Sequence, residues 1–171
     1  TPSLRFAIEN FMSIQMVDLK GQYQKIKPEI DAAVLEVLGS AAFINGPAVS
    51  RFQASLERYL GVEHVIPCAN GTDALQIAMM ALGLEPGDEV IVPSFTFLAT
   101  AEVIALLRLT PVMVDVDIDT FLMTPEIFER AITPRTKAVV PVHLFGQSCD
   151  MQPIIDIAAK HNIAVIEDRS E

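Results

Sequence analysis

Asn70-Gly71-Thr72-Asp73 opens an almost unbroken apolar helical run, Ala74-Leu75-Gln76-Ile77-Ala78-Met79-Met80-Ala81-Leu82. The first N–H groups of a helix have no intrahelical acceptor, and the aligned peptide dipoles add partial positive charge at the same end. The chemistry on offer is anion binding without Lys or Arg, a phosphate being the natural guest. An ordinary capped helix, in which Thr72 or Asp73 satisfies those donors itself, fits the same residues. Deciding between them requires groups elsewhere in the chain that converge on this spot.

Two candidates stand out. Asp168 follows the apolar run Ala164-Val165-Ile166, where a carboxylate at a sheet end is costly unless it meets a cation or several donors; capping the next helix is the competing role. Phe97, in Ser94-Phe95-Thr96-Phe97, could stack on a planar ligand if its ring does not go to the core. His143 and Tyr59 read as structural side chains, and Met79, Met80 and Met113 as core. Cys68 has no His near it in sequence and is assigned no nucleophilic role. An anion cradle, an aromatic platform and a carboxylate wanting a cation are together the three contacts of pyridoxal phosphate: phosphate at the helix start, ring on Phe97, protonated pyridine nitrogen on Asp168.

Alternating elements are what would bring these residues together. Apolar positions at helical spacing predict a helix over Pro28–Leu38 with Pro28 in its first turn and Gly39 beyond its end, and a second from Val49 to Leu60 stopped at Gly61. After Gly83, short apolar runs at 90–92, 112–116, 137–142 and 164–166 alternate with helical stretches at 97–109, 125–132 and 151–161. That alternation is the signature of an α/β fold, a mostly parallel sheet with helices on both faces. In such sheets ligands sit beyond the carboxyl ends of the strands, which directs attention to residues 93–97, 115–119, 143–147 and 167–168.

A net charge of −10, with no segregated basic patch, argues against nucleic acid and anionic membrane surfaces as partners. Glu102 and Arg108 break the longest apolar stretch, so no membrane span is predicted. Two cysteines, Cys68 and Cys149, are too few for a disulfide framework or a zinc site, which fits a reducing cytoplasm. Residues 1–11 are expected to be a leader or foreign segment ahead of Met12, followed by an N-terminal helical segment (12–64) and a cofactor-binding domain (65–171).

The ordered set Val17-Asp18-Leu19-Lys20, Phe43-Ile44-Asn45-Gly46-Pro47, Cys68-Ala69-Asn70-Gly71-Thr72-Asp73-Ala74-Leu75, Pro86-Gly87-Asp88-Glu89-Val90, Pro93-Ser94-Phe95-Thr96-Phe97, Pro141-Val142-His143-Leu144-Phe145-Gly146 and Ile166-Glu167-Asp168 resembles the pyridoxal-phosphate-dependent nucleotide-sugar aminotransferases of fold type I. The resemblance implies transfer of an amino group from glutamate to a keto group of a nucleotide-linked sugar, most similar to members acting at the 3-keto position of a uronic acid or hexose for surface polysaccharide. It implies a homodimer, with Gly71, Thr72 and Asp73 on the cofactor phosphate, Phe97 on the ring and Asp168 on the nitrogen, and Asn45 and Gly46 lining the substrate mouth.

None of the five lysines, Lys20, Lys25, Lys27, Lys137 and Lys160, fits the family's cofactor-bonding Lys, which the resemblance places beyond Glu171. The resemblance implies a strand around Val65-Ile66 whose pairing neighbour comes later than Glu171, so the expectation is a large domain truncated before its later strands, marginally folded and inactive by itself. Arg169-Ser170-Glu171 departs from the family pattern and is suspected of being foreign to the gene. Two other readings stay open: a related pyridoxal-phosphate sugar dehydratase, with His in place of the Lys, and a non-enzymatic α/β binding module.

Overall fold

The computed structural model describes residues 17–170; the expectations placed on residues 1–11, on Met12 and on Glu171 lie outside the described residues. The chain divides into two compact units, Thr1–Pro67 and Cys68–Glu171.

Among the described residues the first unit holds two helices, α1 (Leu19–Ser40) and α2 (Pro47–Leu60). Helix α1 starts nine residues earlier than the apolar spacing predicts, and Pro28 lies inside it. Asp18 supplies the reason, its carboxylate accepting the Gly21 N–H at 2.8 Å as a side-chain cap. Around the proline, Lys27 bonds Asp31 and Tyr23, and the Tyr23 hydroxyl donates to Asp31. These contacts raise the Lys27 amine and lower the Asp31 carboxyl, and they staple the turn that the missing proline N–H weakens. Helix α2 runs as read, with Pro47 in its first turn and Gly61 in the left-handed conformation at its end. Neither helix buries a residue, and Tyr59, read as packed, is exposed. No strand forms at Val65-Ile66, the segment expected to lack its pairing neighbour. Among the described residues no neighbouring strand pairs with it, and the Val65 N–H goes instead to the Glu57 carboxylate of α2 at 3.1 Å.

The second unit is a four-stranded, all-parallel sheet with helices on both faces. Its elements in order are α3 (Gly71–Ala81), β1 (Glu89–Pro93), α4 (Ala99–Leu106), β2 (Thr110–Val114), α5 (Pro125–Ala131), β3 (Thr136–Val139), α6 (Met151–His161) and β4 (Ala164–Val165). The strand order is β2-β1-β3-β4, in register through Ile91↔Val112, Ile91↔Val139 and Val139↔Val165. The period-2 alternation of strands sorts the core into two clusters. Val90, Val92, Ala138 and Val140 pack on Leu75 and Met79 of α3 and on Val103 and Ile104 of α4. Ile91 and Val139 face the other way, onto Phe128 of α5 and Ile154 and Ala158 of α6. Met80 and Met113, read as core, are exposed: Met80 lies on the outer face of α3, and Met113 on β2, an edge strand only partly covered.

At the amino end of β1 a buried carboxylate ties the sheet together. Glu89 accepts from Thr133 Oγ1 at 2.5 Å and from Arg135 Nε at 2.9 Å, bridging β1 to the loop before β3. The Thr133 hydroxyl, then the Arg135 guanidinium, hold its carboxyl below the usual range. A depressed folded-state value contributes stability above the unfolded value of about 4.3, and that stability is lost as pH falls through the lower folded value. Glu89→Gln is therefore expected to lower the denaturation midpoint at neutral pH and to flatten the acid limb of the stability curve. Urea melts from pH 3 to 7 check this; parallel wild-type and variant curves contradict it.

Candidate active site

The chain leaves β1 toward β2 and leaves β3 toward β4, in opposite directions across the sheet. A crevice opens where the direction reverses, beyond the carboxyl ends of β1 and β3. There a cavity of about 650 Å³ is lined by Gly71, Thr72 and Leu75 of α3, by Ser94 to Phe97 after β1, by Ala99 and Thr100 of α4, by Leu144 and Phe145 after β3, and by Asp168 and Ser170 after β4.

Four of the five residues read as cofactor contacts, Gly71, Thr72, Phe97 and Asp168, meet at this one cavity. Asn70 caps α3, its side-chain oxygen accepting the Asp73 N–H at 2.9 Å, and the Ala74 N–H bonds the Asn70 carbonyl at 3.0 Å. Among the described residues no acceptor meets the N–H of Gly71 or Thr72, so two donors of the helix start stand at the cavity wall. Asp73 is placed differently. Its carboxylate accepts from Asn70 Nδ2 at 3.1 Å and lies outside the lining. Gly71 is held to glycine by space, because a Cβ there would stand 2.7 Å from Ser170 Cβ. Asn45 and Gly46 belong to the first unit, in the turn between α1 and α2, Asn45 with φ +49° and Gly46 as the N-cap of α2.

Phe97 is 70% exposed. Phe95 pairs with Phe121, ring centroids 5.5 Å apart, and both aromatics of the motif line the cavity.

Asp168 is 5% exposed. It enters the sheet by backbone bonds: its N–H goes to Pro141 O at 2.9 Å, and its carbonyl accepts the His143 N–H at 3.0 Å. Its carboxylate accepts from Thr100 Oγ1 (3.3 Å), Ser170 N (3.0 Å) and Ser170 Oγ (2.6 Å). All three donors are neutral, and among the described residues no cation meets this buried charge. Such a group is costly until an opposite charge arrives.

His143 braces the same segment. Its Nδ1 accepts the Cys149 N–H at 3.0 Å, which places the ring proton on Nε2, 3.2 Å from Glu167. Both nitrogens are engaged and the ring is off the cavity wall, so His143 is a structural histidine. Glu167, lowered chiefly by its bonds from Arg169 and then by His143, completes the brace.

Sequence reading missed Thr100, Ser170 and Phe145. Thr100 sits in an apolar helical run and meets Asp168 only across 68 residues of sequence, a contact no local pattern encodes. Phe145 lies in a strand-end segment already singled out, but nothing local marked its backbone.

Neutral donors around a buried carboxylate, two uncapped N–H groups and an exposed ring at one cavity fit a pyridinium-bearing phosphate ester. Residues 24–171 match the DegT/DnrJ/EryC1/StrS aminotransferase family. Over 158 residues the chain is 51% identical to the UDP-2-acetamido-2-deoxy-3-oxo-D-glucuronate aminotransferase of Pseudomonas aeruginosa, covering 92% of this chain and 44% of that protein. The crystal structure of a DegT DnrJ EryC1 StrS aminotransferase from Brucella abortus superposes with a TM-score of 0.87 at 46% identity, over 90% of this chain and 43% of that one. The Bacillus subtilis protein ntda, solved with the cofactor PMP bound, gives a TM-score of 0.81 at 42% identity, over 84% and 33%. The chain thus spans less than half the length of these relatives.

Proposed function

The chain belongs to the DegT/DnrJ/EryC1/StrS aminotransferase family, and on that premise we propose that it forms the cofactor-holding part of a pyridoxal 5'-phosphate enzyme that moves an amino group from glutamate to a keto group of a nucleotide-linked sugar. The Gly71 and Thr72 N–H groups hold the phosphate, with Asp73 and Asn70 keeping the helix start in shape. Phe97 lies against the ring, and Asp168 pairs with its protonated nitrogen. When bound, the ring supplies an electron sink for bond breaking at the amino-bearing carbon. Thr100 and Ser170 orient the Asp168 carboxylate. The sugar is a 3-keto uronic acid or hexose destined for surface polysaccharide, and the enzyme works in the cytoplasm as a homodimer. Within the second unit neither lysine, Lys137 at the start of β3 or Lys160 paired with Glu129, lines the cavity, so the covalent step falls to a group outside that unit.

The observation that carries the reading is Asp168, a buried carboxylate whose donors are all neutral, at the wall of a cavity that also offers the N–H groups of Gly71 and Thr72. Titrating pyridoxal 5'-phosphate into the chain, followed by absorption, tests it. Wild type binds, and Gly71→Ala binds roughly 5- to 150-fold more weakly, the 1–3 kcal/mol of overpacking. The added methyl either fills the cradle or pushes Ser170 off Asp168. Equal affinities, or no binding by wild type, refute the assignment.

A further inference from the structure

We propose that Phe145 is a specificity-determining contact for the amino-group acceptor, its ring packing on the organic body of the nucleotide-linked sugar at the cavity; this rests on the cavity being a pyridoxal 5'-phosphate site. Among the described residues six other than glycine have a left-handed backbone: Ala41, Asn45, Arg108, Phe121, Phe145 and Asn162. Ala41 and Asn162 end helices, Arg108 follows α4, and Asn tolerates this region. The two phenylalanines are the costly cases. Phe121 sets its ring against Phe95. Phe145 does not: at φ 54°, ψ 26°, followed by Gly146 at φ 80°, it is 81% exposed, and among the described residues no ring pairs with it.

Glycine or asparagine would make this double left-handed turn at lower cost. What the strained phenylalanine adds is an apolar ring held in solvent at the cavity wall. Among the described residues no burial offsets the strain, so the ring's packing partner lies outside them. The contacts assigned to the cofactor already account for its phosphate, ring and nitrogen. Phe145 is left over, after β3 and across the strand reversal from Phe97, which follows β1. A sugar ring or a nucleobase presents the flat apolar face that such a ring covers.

The test uses the full chain as wild type, Phe145→Gly and Phe145→Tyr, with thermal melts of the ligand-free protein, absorption titrations of pyridoxal 5'-phosphate and calorimetric titrations of UDP-N-acetylglucosamine. In Phe145→Gly the melting temperature is not lowered, pyridoxal 5'-phosphate affinity is unchanged, and UDP-N-acetylglucosamine affinity falls roughly 2- to 10-fold, the worth of one aromatic contact. Phe145→Tyr keeps both affinities. A melting temperature lowered by several degrees makes the ring a packing element and overturns the proposal. So does unchanged UDP-N-acetylglucosamine affinity, or a loss of cofactor affinity, which gives the ring to the cofactor. Wild type that binds pyridoxal 5'-phosphate but not UDP-N-acetylglucosamine overturns this proposal alone; wild type that binds neither overturns the cofactor assignment as well.

Discussion

Asp168→Asn is expected to weaken pyridoxal 5'-phosphate binding by roughly 150- to 5,000-fold, the 3–5 kcal/mol of a buried charge left without its partner, while leaving the ligand-free chain at least as stable as wild type. The two effects have opposite signs for one reason. In the ligand-free chain the carboxylate is buried among neutral donors, Thr100 and Ser170, so neutralising it removes an uncompensated charge. An amide of the same shape can keep the two Ser170 bonds on its oxygen and turn its NH₂ toward the Thr100 hydroxyl, which accepts as readily as it donates. With the cofactor bound, the protonated ring nitrogen then faces an amide in place of a carboxylate. Absorption titrations give the affinities and scanning calorimetry the stability. Unchanged affinity would show that Asp168 does not meet the ring; a large fall in ligand-free melting temperature would show that the carboxylate serves mainly to tie α4 to β4.

Phe128→Ala is expected to cost about 3–5 kcal/mol, a large share of the 5–15 kcal/mol that holds a domain together. Phe128 is fully buried on α5, enclosed by Ile91 and Val139 of the sheet and Ile154 and Ala158 of α6. Those neighbours belong to three separate elements braced against strands, so the space cannot close by a small local shift. Ile118→Ala, at a residue 79% exposed, should stay within about 0.5 kcal/mol. Urea denaturation with unchanged slope for both variants checks the pair. A Phe128→Ala loss near that of Ile118→Ala would mean that this face of the sheet is loosely packed.

Local rules made much of the second unit legible. Thr124-Pro125 opens α5 with the Thr124 side chain accepting the Ile127 N–H, α6 runs from Met151 to His161 as read, and the strands fall where short apolar runs predict them. Three of the four strand-end segments flagged in the sequence carry the site's braces or its lining, because the sheet gathers its carboxyl ends at one edge. What escaped reading depends on tertiary partners. Pro28 is the exception: local sterics favour a helix start there, and the equally local Asp18 cap moves it nine residues earlier. Val65-Ile66 has strand-like residues, but a strand needs a neighbour. Met80 and Met113 have core-like composition, yet one faces outward on a helix and the other lies on an edge.

The all-parallel order β2-β1-β3-β4 also sets a timetable. No hairpin can form early, since every neighbouring pair is joined by a crossover helix, and the bond between Thr100 and Asp168 spans 68 residues. At ribosomal speeds of about 5–20 residues per second, roughly 3 to 14 s separate the synthesis of those two side chains. Through that interval the nascent chain carries Phe97, Thr100 and the Gly71 and Thr72 N–H groups at the start of α3 with nothing yet made to close the cavity around them, which makes it a stage at which a chaperone has exposed apolar strands to hold.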